Sequence, residues 1–309
     1  MKIVVLDAKT LGSDISLDGL KEFGEVVTYE TTSKEQTQSR VKDADIILTN
    51  KVVITKEIMS NSSFKLICET ATGTDNIDLI AARELGIEVK NVAGYSTNSV
   101  VQMTFSLALY LLGKMKFYDE FVKSANWAKS GIFTNIDKPF NEISGKTWGI
   151  IGLGNIGKKV ASIAECFGCN IQYYSTSGKN SNSEYKQVSL DELMSSSDII
   201  SIHAPMNENT NNLITSKELN KMHEKSILLN LGRGGIVNED DLACVLDEKE
   251  IYAGLDVTKV EPLPLSSPLY SVKKNQDRLV ITPHIAWASV EARTKLMELT
   301  LENIREFLG

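Results

Sequence analysis

The chain has 309 residues, of which 42 % are apolar and 24 % are charged, and its formal net charge is -7 at pH 7. This length exceeds what one compact core needs, so it predicts two domains. The acidic balance excludes nucleic acid and anionic membranes as default partners, because both select clustered Lys and Arg, and it favours a small-molecule function.

The ends and the cysteines of the chain narrow the class of protein further. The first residues, MKIVVLDAKT, enter a short strand and do not resemble a signal peptide, so the expected compartment is the cytoplasm. The longest apolar run, FSLALYLLG, is about half of the roughly 20 residues that span a bilayer. The CFGC pair, Cys166 and Cys169, lacks a second pair of ligands, so we expect no metal site.

Short β-branched runs alternate with helical patterns along most of the chain. A first series contains KIVVLD, EVVTY, DIILTN, KLICET and IEVKNV, and a second contains TWGIIG, NIQYY, DIISIHAP, SILLNLG, IYAGLDV and LVITPH. This rhythm is typical of βαβ units in parallel sheets. It predicts an α/β protein with two doubly wound sheets.

The segment between the two series is predicted to be helical. Residues 96–131 have the apolar spacing of a long buried helix followed by an extension. Within 126–144 the periodicity is weak and Trp127, Phe133 and Phe140 have no predicted core to join, which indicates an arm that contacts a partner, with an internal lid as the alternative. The terminal run SVEARTKLMELTLENIREFL predicts a final helix.

A glycine-rich loop opens the second series. Gly152, Gly154 and Gly157 in GLGNIG follow a predicted strand and begin a predicted helix, with Asn155 and Ile156 between them. Glycines at this spacing permit a tight turn and a close approach of pyrophosphate to the backbone N–H groups of the helix N-terminus. The loop therefore predicts a dinucleotide site.

The end of the next strand does not decide which dinucleotide binds. An acid about 20 residues after the glycines usually binds the ribose hydroxyls, and Ser175 stands at that place. Ser175, Thr176 and Ser177, with Lys179 nearby, would tolerate a 2′-phosphate, but this turn contains no Arg. NAD(H) and NADP(H) therefore both remain open.

A reaction that depends on histidine has few candidates in this sequence, which has three histidines. His223 lies in a polar helix end, whereas His203 and His284 each follow a predicted strand of the second series. Arg233 in NLGRGGIVNE and Glu261 in GLDVTKVEPLP also follow strands of that series. Because the carboxyl ends of parallel strands meet at one edge of a sheet, we expect Arg233, Glu261 and His284 to converge there.

Five motifs in order, GLGNIG, HAPMNENTNNLI, NLGRGGIVNEDDL, GLDVTKVEPLP and TPHIAW, resemble the D-isomer-specific 2-hydroxyacid dehydrogenase family. GTDNIDLIAARELGIEV and NVAGYSTNSV extend the resemblance through the first series. The resemblance implies a flavodoxin-like substrate-binding domain from 1–98 and 286–309 and an NAD(P)-binding Rossmann domain from 99–285. It also implies a catalytic cleft between the domains and a homodimer with a dimerisation arm near 114–145.

The resemblance assigns roles to the converging residues. His284 resembles the general acid, Glu261 the carboxylate that bonds to it, and Arg233 the guanidinium that binds the substrate. A carboxylate favours the protonated imidazole, and the planar fork of Arg matches a carboxylate. Thr72 and Gly73 in ATGTDNID resemble the loop whose N–H groups bind the substrate carboxylate, although a glycine turn that caps a helix is the alternative.

Further positions resemble the family's coenzyme-binding residues. They are His203, Pro205, Thr210 and Asp256. His203 has a turn residue as its alternative, and for Asp256 the alternative is that it only terminates its strand.

The motifs NVAGYST and PHIAWAS resemble those of glycerate dehydrogenases, also called hydroxypyruvate reductases. The first expectation is therefore reduction of hydroxypyruvate or glyoxylate to D-glycerate or glycolate. D-lactate and phosphoglycerate dehydrogenases are alternatives, and no regulatory tail of many phosphoglycerate dehydrogenases is expected. The alternative from a different functional class is a non-enzymatic, NAD-sensing scaffold similar to a corepressor. Such scaffolds have extended tails for partners, and the short ends expected here favour the enzyme.

Overall fold

The structure is a computed structural model that describes residues 1–178, 184–272 and 276–309. The chain divides into two compact units. The first unit combines Met1–Ser96 with Trp287–Gly309, and the second is Thr97–Ala286. Each unit is built on one parallel sheet with apolar cores against it.

The helices and strands follow in chain order. The first part of the chain forms β1 (Lys2–Val5), β2 (Glu25–Thr28), α1 (Lys34–Val41), β3 (Ile46–Thr49), α2 (Lys56–Ser60), β4 (Leu66–Glu69), α3 (Leu79–Glu84), β5 (Glu88–Lys90), α4 (Thr97–Leu112), α5 (Met115–Lys123) and α6 (Asn126–Ser130). The remainder forms β6 (Thr147–Ile151), α7 (Asn155–Cys166), β7 (Asn170–Tyr174), β8 (Lys186–Gln187), α8 (Leu190–Ser196), β9 (Ile199–Ile202), α9 (Ser216–Leu219), β10 (Ile227–Asn230), α10 (Glu239–Glu248), β11 (Tyr252–Leu255), β12 (Leu279–Ile281) and α11 (Val290–Leu308). Short 3₁₀ helices occupy Ala8–Thr10, Asp18–Glu22, Gly234–Ile236, Pro268–Ser271 and Gln276–Arg278.

The sheet of the first unit has the strand order β2-β1-β3-β4-β5, and all neighbours are parallel. Every residue of β3 and β4 is buried, as expected for a parallel sheet that helices cover on both faces. Ile46 belongs to the core that α11 completes, whereas Ile47 belongs to the opposite core. The order is that of flavodoxin-like folds, which confirms the predicted architecture.

The sheet of the second unit has the order β12-β11-β10-β9-β6-β7-β8 among the described strands, again all parallel. Its first strand in sequence, β6, lies between β7 and β9, so the direction of winding reverses there. Ligands of such folds bind at the carboxyl ends of the strands beside this reversal. The predicted Rossmann arrangement is confirmed, and the short, exposed β8 is an addition to the predicted strands.

The helical segment between the sheets is interrupted twice. One face of α4 is buried. Lys114 and Ala125 adopt left-handed backbone conformations, with φ of 53° and 60°. Lys114 precedes α5 and Ala125 precedes α6, so the three helices are separate. Neither α5 nor α6 contains a buried residue. Across the described ranges, no helix has both the length and the apolar composition to cross a membrane.

Candidate active site

The glycine loop after β6 is shaped by two contacts that exclude side chains. Gly152 has a φ of 92°, and a Cβ on it would lie 2.9 Å from the backbone of Ala204. A Cβ on Gly157 would lie 2.4 Å from the carbonyl oxygen of Gly152. A Cβ on Gly154, by contrast, would meet no atom within 4 Å. The loop is therefore tightly packed at Gly152 and Gly157 and open at Gly154, as a phosphate-binding loop requires.

Helix α7 begins directly in this loop. The first N–H groups of an α-helix have no intrahelical acceptor. The N-cap here is Gly154, which has no side chain that could accept from them. Asn155 is exposed, and Ile156 packs partly against the core. Free N–H groups and the positive end of the helix dipole make this turn suited to a phosphate.

The turn after β7 lies beside the glycine loop, because the Gly152 N–H donates to the carbonyl oxygen of Tyr174 at 3.1 Å. Ser175 is buried, and its Oγ has no hydrogen-bond partner within the described ranges. Thr176 is half-buried next to it. Lys179, the basic residue considered for a 2′-phosphate, lies outside the described residues.

His203 follows β9 and belongs to a buried polar network. Trp148 Nε1 donates to Ser201 Oγ at 2.9 Å, and that oxygen lies 3.0 Å from His203 Nε2. Because the hydroxyl has no other acceptor among the described residues, it donates to Nε2 and leaves the proton of the ring on Nδ1. Burial lowers the pKa of His203 to about 3, so the ring is neutral at physiological pH. His203 is therefore unsuited to donate a proton to a substrate.

Two buried polar atoms at this edge of the sheet have no partner among the described residues and could bind a ligand. His203 Nδ1 and Ser175 Oγ are both buried and have no partner in the part of the chain that the structure describes. Buried polar groups without partners are rare in folded proteins and commonly meet a ligand or water. Together with the open space above Gly154, they fit a dinucleotide.

The loop after His203 is closed by Thr210. Its fully buried hydroxyl donates to the carbonyl oxygen of Pro205 at 2.7 Å and accepts from the N–H of Asn207 at 2.8 Å. Pro205 is exposed. Among the positions assigned to the coenzyme, Thr210 therefore shapes the loop, whereas Pro205 is on its surface.

His284 and Glu261 are in direct contact. His284 Nδ1 lies 2.7 Å from Glu261 Oε2, and Glu261 Oε1 accepts from the N–H of Thr258 at 3.1 Å. The side chains of His284 and Glu261 are 24 % and 35 % exposed, so a small ligand can reach the imidazole. The contact fixes the ring and leaves its Nε2 as the atom that can exchange a proton with a ligand.

Asp256, just past β11, holds the turn that carries His284. Its carboxylate accepts from Thr282 Oγ1 at 2.6 Å and from the N–H groups of Ile285 and Ala286 at 2.9 and 2.8 Å. Its carbonyl oxygen accepts from the N–H of His284 at 2.8 Å. Asp256 is nearly completely buried, and its contacts join the ends of β11 and β12.

Arg233 lies in the loop after β10. Asn230 Nδ2 donates to the carbonyl oxygen of Arg233 at 2.9 Å, and Arg233 Nη1 donates to that of Gly232 at 2.9 Å. A Cβ on the next residue, Gly234, would lie 1.9 Å from the carbonyl carbon of Thr258. The loop of Arg233 therefore packs closely on the loop that leads to Glu261.

The predicted catalytic residues thus share one edge of the second sheet. Arg233, Glu261 and His284 follow β10, β11 and β12 in turn, and neighbouring strands carry the glycine loop and His203. The polar partners Ser201, Thr258 and Thr282 were not singled out from the sequence. Ser201 had a usable signal, because it is a polar residue inside the apolar run DIISIHAP.

Thr72 and Gly73 belong to the first unit and follow β4. Thr72 Oγ1 donates to the carbonyl oxygen of Val92 at 2.9 Å, and Asn91 Nδ2 donates to that of Thr72 at 2.6 Å. The N–H groups of Thr72 and Gly73 have no acceptor in the described ranges. The loop is thereby held from one side, and its N–H groups can receive an anion.

The described ranges contain no group of three or more His, Cys, Asp or Glu that could hold a metal ion. Cys166 of the CFGC pair is exposed and Cys169 is buried, and both are free thiols.

Comparisons with known proteins agree with this geometry. A family model described as D-isomer specific 2-hydroxyacid dehydrogenase, NAD binding domain, matches residues 105–286. A hydroxypyruvate reductase of Blautia hydrogenotrophica is 36 % identical over an alignment that covers 100 % of this chain and 97 % of that protein.

Two solved structures have the same fold. An acyclic imino acid reductase (Bsp5) in complex with NADPH and D-Arg has a TM-score of 0.82 at 30 % identity, covering 100 % of this chain and 97 % of that one. A D-lactate dehydrogenase from Aquifex aeolicus, complexed with NAD and lactic acid, has a TM-score of 0.85 at 25 % identity, with coverage of 100 % and 95 %. The order of the motifs, the two sheets and these matches all show that the chain belongs to the D-isomer-specific 2-hydroxyacid dehydrogenase family, whose members are NAD(P)-dependent oxidoreductases that act on CH–OH groups.

Proposed function

We propose that this protein reduces hydroxypyruvate to D-glycerate and, as a smaller substrate, glyoxylate to glycolate. The observation that carries the proposal is the 2.7 Å contact of His284 with Glu261, at the sheet edge that also carries the glycine loop. The name of the Blautia hydrogenotrophica relative supports the choice of hydroxypyruvate.

The coenzyme would be held by residues of the second unit. The N–H groups of Gly154, Asn155 and Ile156 would bind the pyrophosphate, and Ser175 with Thr176 would bind the adenosine ribose. We also assign coenzyme contacts to His203 and Pro205 at this edge, and a supporting role to Thr210 and Asp256, whose side chains hold the adjoining loops. When bound, the reduced nicotinamide supplies the hydride for the substrate carbonyl carbon.

The remaining chemistry belongs to the side chains. His284, protonated and paired with Glu261, donates the proton of Nε2 to the carbonyl oxygen of the substrate, while Glu261 keeps the imidazole oriented and balances its charge. Arg233 binds the substrate carboxylate through its planar fork. The free N–H groups of Thr72 and Gly73 are our candidates for a further contact with that carboxylate.

We propose that the ribose site accepts both NADH and NADPH. Ser175 carries no charge, so it does not repel a 2′-phosphate as a carboxylate would. The described part of this turn, Ser175 to Gly178, also contains no Arg that would favour NADPH. The preference between the two coenzymes is therefore expected to be small.

We also propose that two copies form a homodimer through the arm near 114–145. Its apolar side chains are strongly exposed, with Phe133 at 89 %, Ile136 at 77 % and Phe140 at 61 %. Such a concentration of exposed apolar side chains is typical of an interface. The cytoplasmic location expected from the sequence stays a prediction.

A kinetic panel tests the proposed function. Hydroxypyruvate, glyoxylate, pyruvate and 2-oxobutyrate are each offered with NADH and with NADPH, and the oxidation of the coenzyme is followed by absorbance. We expect the highest kcat/KM for hydroxypyruvate with either coenzyme. A higher value for pyruvate would favour a D-lactate dehydrogenase, and no turnover of any of the four acids would favour a coenzyme-sensing scaffold.

A further inference from the structure

Glu69 is a buried acid that the proposed mechanism does not use. It is the last residue of β4, in the first unit, and its side chain is completely inaccessible to solvent. The other residues of β4 are apolar and equally buried. An ionised carboxylate in such a place is costly unless a cation or several hydrogen bonds compensate it.

The compensation that Glu69 receives is small. Its Oε2 accepts one hydrogen bond, from Asn76 Nδ2 at 3.1 Å. Its Oε1 is buried and has no partner within the described ranges, and no Lys, Arg or His among the described residues forms an ion pair with it. One amide is much less than the two or three donors that stabilise a buried carboxylate.

The charged residues around Glu69 are Asp7 after β1, Lys51 after β3 and Asp75 after β4. Asp7, after β1, uses its own carboxylate to accept from the N–H groups of Asn50 and Lys51, at 3.0 and 2.7 Å. Burial, with smaller contributions from Asp7 and Asp75, raises the pKa of Glu69 to about 8, although Asn76 and Lys51 act in the opposite direction. At pH 7 the side chain is therefore mostly neutral.

Asn76 links Glu69 to the loop with Thr72 and Gly73. Besides Glu69, Asn76 Nδ2 donates to the carbonyl oxygen of Val52 at 3.1 Å, and the carbonyl oxygen of Asn76 accepts from the N–H of Ile54 at 2.8 Å. Residues 70–75 are thus enclosed between Glu69 and its own hydrogen-bond partner. The unpartnered N–H groups of Thr72 and Gly73 lie in the middle of this loop.

We propose that Glu69 is a positioning residue for this loop and that only its neutral form allows the loop to bind a carboxylate. The inference rests on the proposed function, in which the loop binds the substrate carboxylate. Three residues of chain span at most about 10 Å between the Cα atoms of Glu69 and Thr72, so an ionised Glu69 would place a negative charge at the strand end that leads into this loop. In a partly buried site, a like charge about 12 Å from a bound anion weakens its binding by roughly tenfold.

The test compares the wild-type enzyme with Glu69→Gln, which keeps the size of the side chain and cannot ionise. The inhibition constant of oxalate, an anion that does not titrate in this range, is measured against hydroxypyruvate from pH 6.5 to 9.5. We expect it to rise about tenfold more in the wild type than in Glu69→Gln, with the KM for NADH equal in both. Glu57→Gln, on the exposed surface of α2, is the matched control and should follow the wild type.

Superimposable oxalate profiles of the wild type and Glu69→Gln would overturn the inference while leaving the proposed function intact. Absence of turnover with every 2-oxo acid would instead contradict the proposed function. Thermal unfolding then still tests the neutral state of Glu69, because it needs no substrate.

The sign of the stability effect follows from the two pKa values of Glu69. The value is about 8 in the folded chain and 4.5 for an unburied Glu, so the folded state holds the proton more tightly. Ionisation of Glu69 therefore lowers the stability of the wild type as the pH rises from about 4.5 to 8, and Glu69→Gln lacks this contribution. The Tm of Glu69→Gln relative to the wild type should increase across that window, and a constant difference would overturn the inference.

Discussion

His284 has a backbone φ of 54°, a left-handed conformation that residues other than glycine rarely adopt. Its N–H donates to the carbonyl oxygens of Asp256 and Thr282, at 2.8 and 2.9 Å, which holds the turn in place. Such conformations cluster at functional sites, where the surrounding structure maintains them. The motif resemblance nominated His284 and Glu261, but no sequence pattern could indicate this backbone or the bonds of Asp256.

Replacing the partner of the imidazole tests the role of the pair. Glu261→Gln keeps the shape and removes the carboxylate that contacts His284 Nδ1. We expect kcat for hydroxypyruvate to fall about 10- to 100-fold, a part of what general acid catalysis contributes. The dissociation constant of NADH, measured by fluorescence titration, should change less than about threefold, because Glu261 balances a charge on His284 rather than on the coenzyme. An equal loss of turnover and of NADH affinity would contradict the assignment.

Coenzyme preference can be changed at the end of β7. Ser175→Asp introduces a carboxylate beside the ribose site, which can accept from both ribose hydroxyls and repels a 2′-phosphate. The ratio of kcat/KM for NADH to that for NADPH should rise about tenfold or more, which corresponds to about 1.4 kcal/mol. Ser195→Asp, at an exposed position of α8, is the control. Unchanged ratios for Ser175→Asp would show that this turn does not select the coenzyme.

At the scale of elements, the strands were predictable because burial leaves a simple pattern. Every residue of β3, β4, β9 and β10 is buried, so each strand appears as an apolar run that contains a single polar residue. Gly113 signals the end of α4, but the left-handed conformations of Lys114 and Ala125 were not predictable, since neither is the glycine or asparagine that usually adopts them. The two exposed residues of β8 likewise give no apolar signal.

The contact of two loops is an element-scale feature that can be tested by adding one carbon. Gly234→Ala would place its Cβ 1.9 Å from the carbonyl carbon of Thr258, so the loops of Arg233 and Glu261 must separate. We expect a loss of kcat of at least tenfold and a lower Tm, because this backbone contact cannot yield without movement of both loops.

The neighbouring glycine supplies the matched control for that substitution. A Cβ on Gly235 would lie 2.6 Å from Cε of Met206, the mobile end of a flexible side chain. Gly235→Ala should therefore retain nearly full activity and stability in the same assays. If both substitutions have the same effect, the packing of Gly234 on Thr258 does not align the site.

At the scale of the whole molecule, the alternation of strands and helices predicted two doubly wound sheets, and the structure has both. The strand orders could not be derived from periodicity, because periodicity indicates which face of a strand is buried and not which strand is its neighbour. The family resemblance supplied that information. Glu69 was missed for the related reason that one acid in an apolar strand does not disturb the strand pattern.

The proposed homodimer can be tested through the exposed arm. Phe133→Asp and Phe140→Asp place charges on side chains that are 89 % and 61 % exposed. The wild type should elute with the mass of two chains in light scattering, and the double variant with the mass of one, because a desolvated charge is costly in an interface. Leu265→Asp, at a position 95 % exposed outside the arm, should remain dimeric. A wild type that is monomeric at micromolar concentration would contradict the proposal.

The central claim is that this protein reduces hydroxypyruvate with His284 as the proton donor. The most direct measurement is the single-turnover rate of NADH oxidation by hydroxypyruvate in the wild type, in His284→Gln and in the surface control His223→Gln, with NADH affinity measured in parallel. We predict rapid turnover in the wild type and His223→Gln, and a 10²- to 10⁴-fold slower rate in His284→Gln with NADH affinity retained. A His284→Gln enzyme that oxidises NADH at the wild-type rate would contradict the claim.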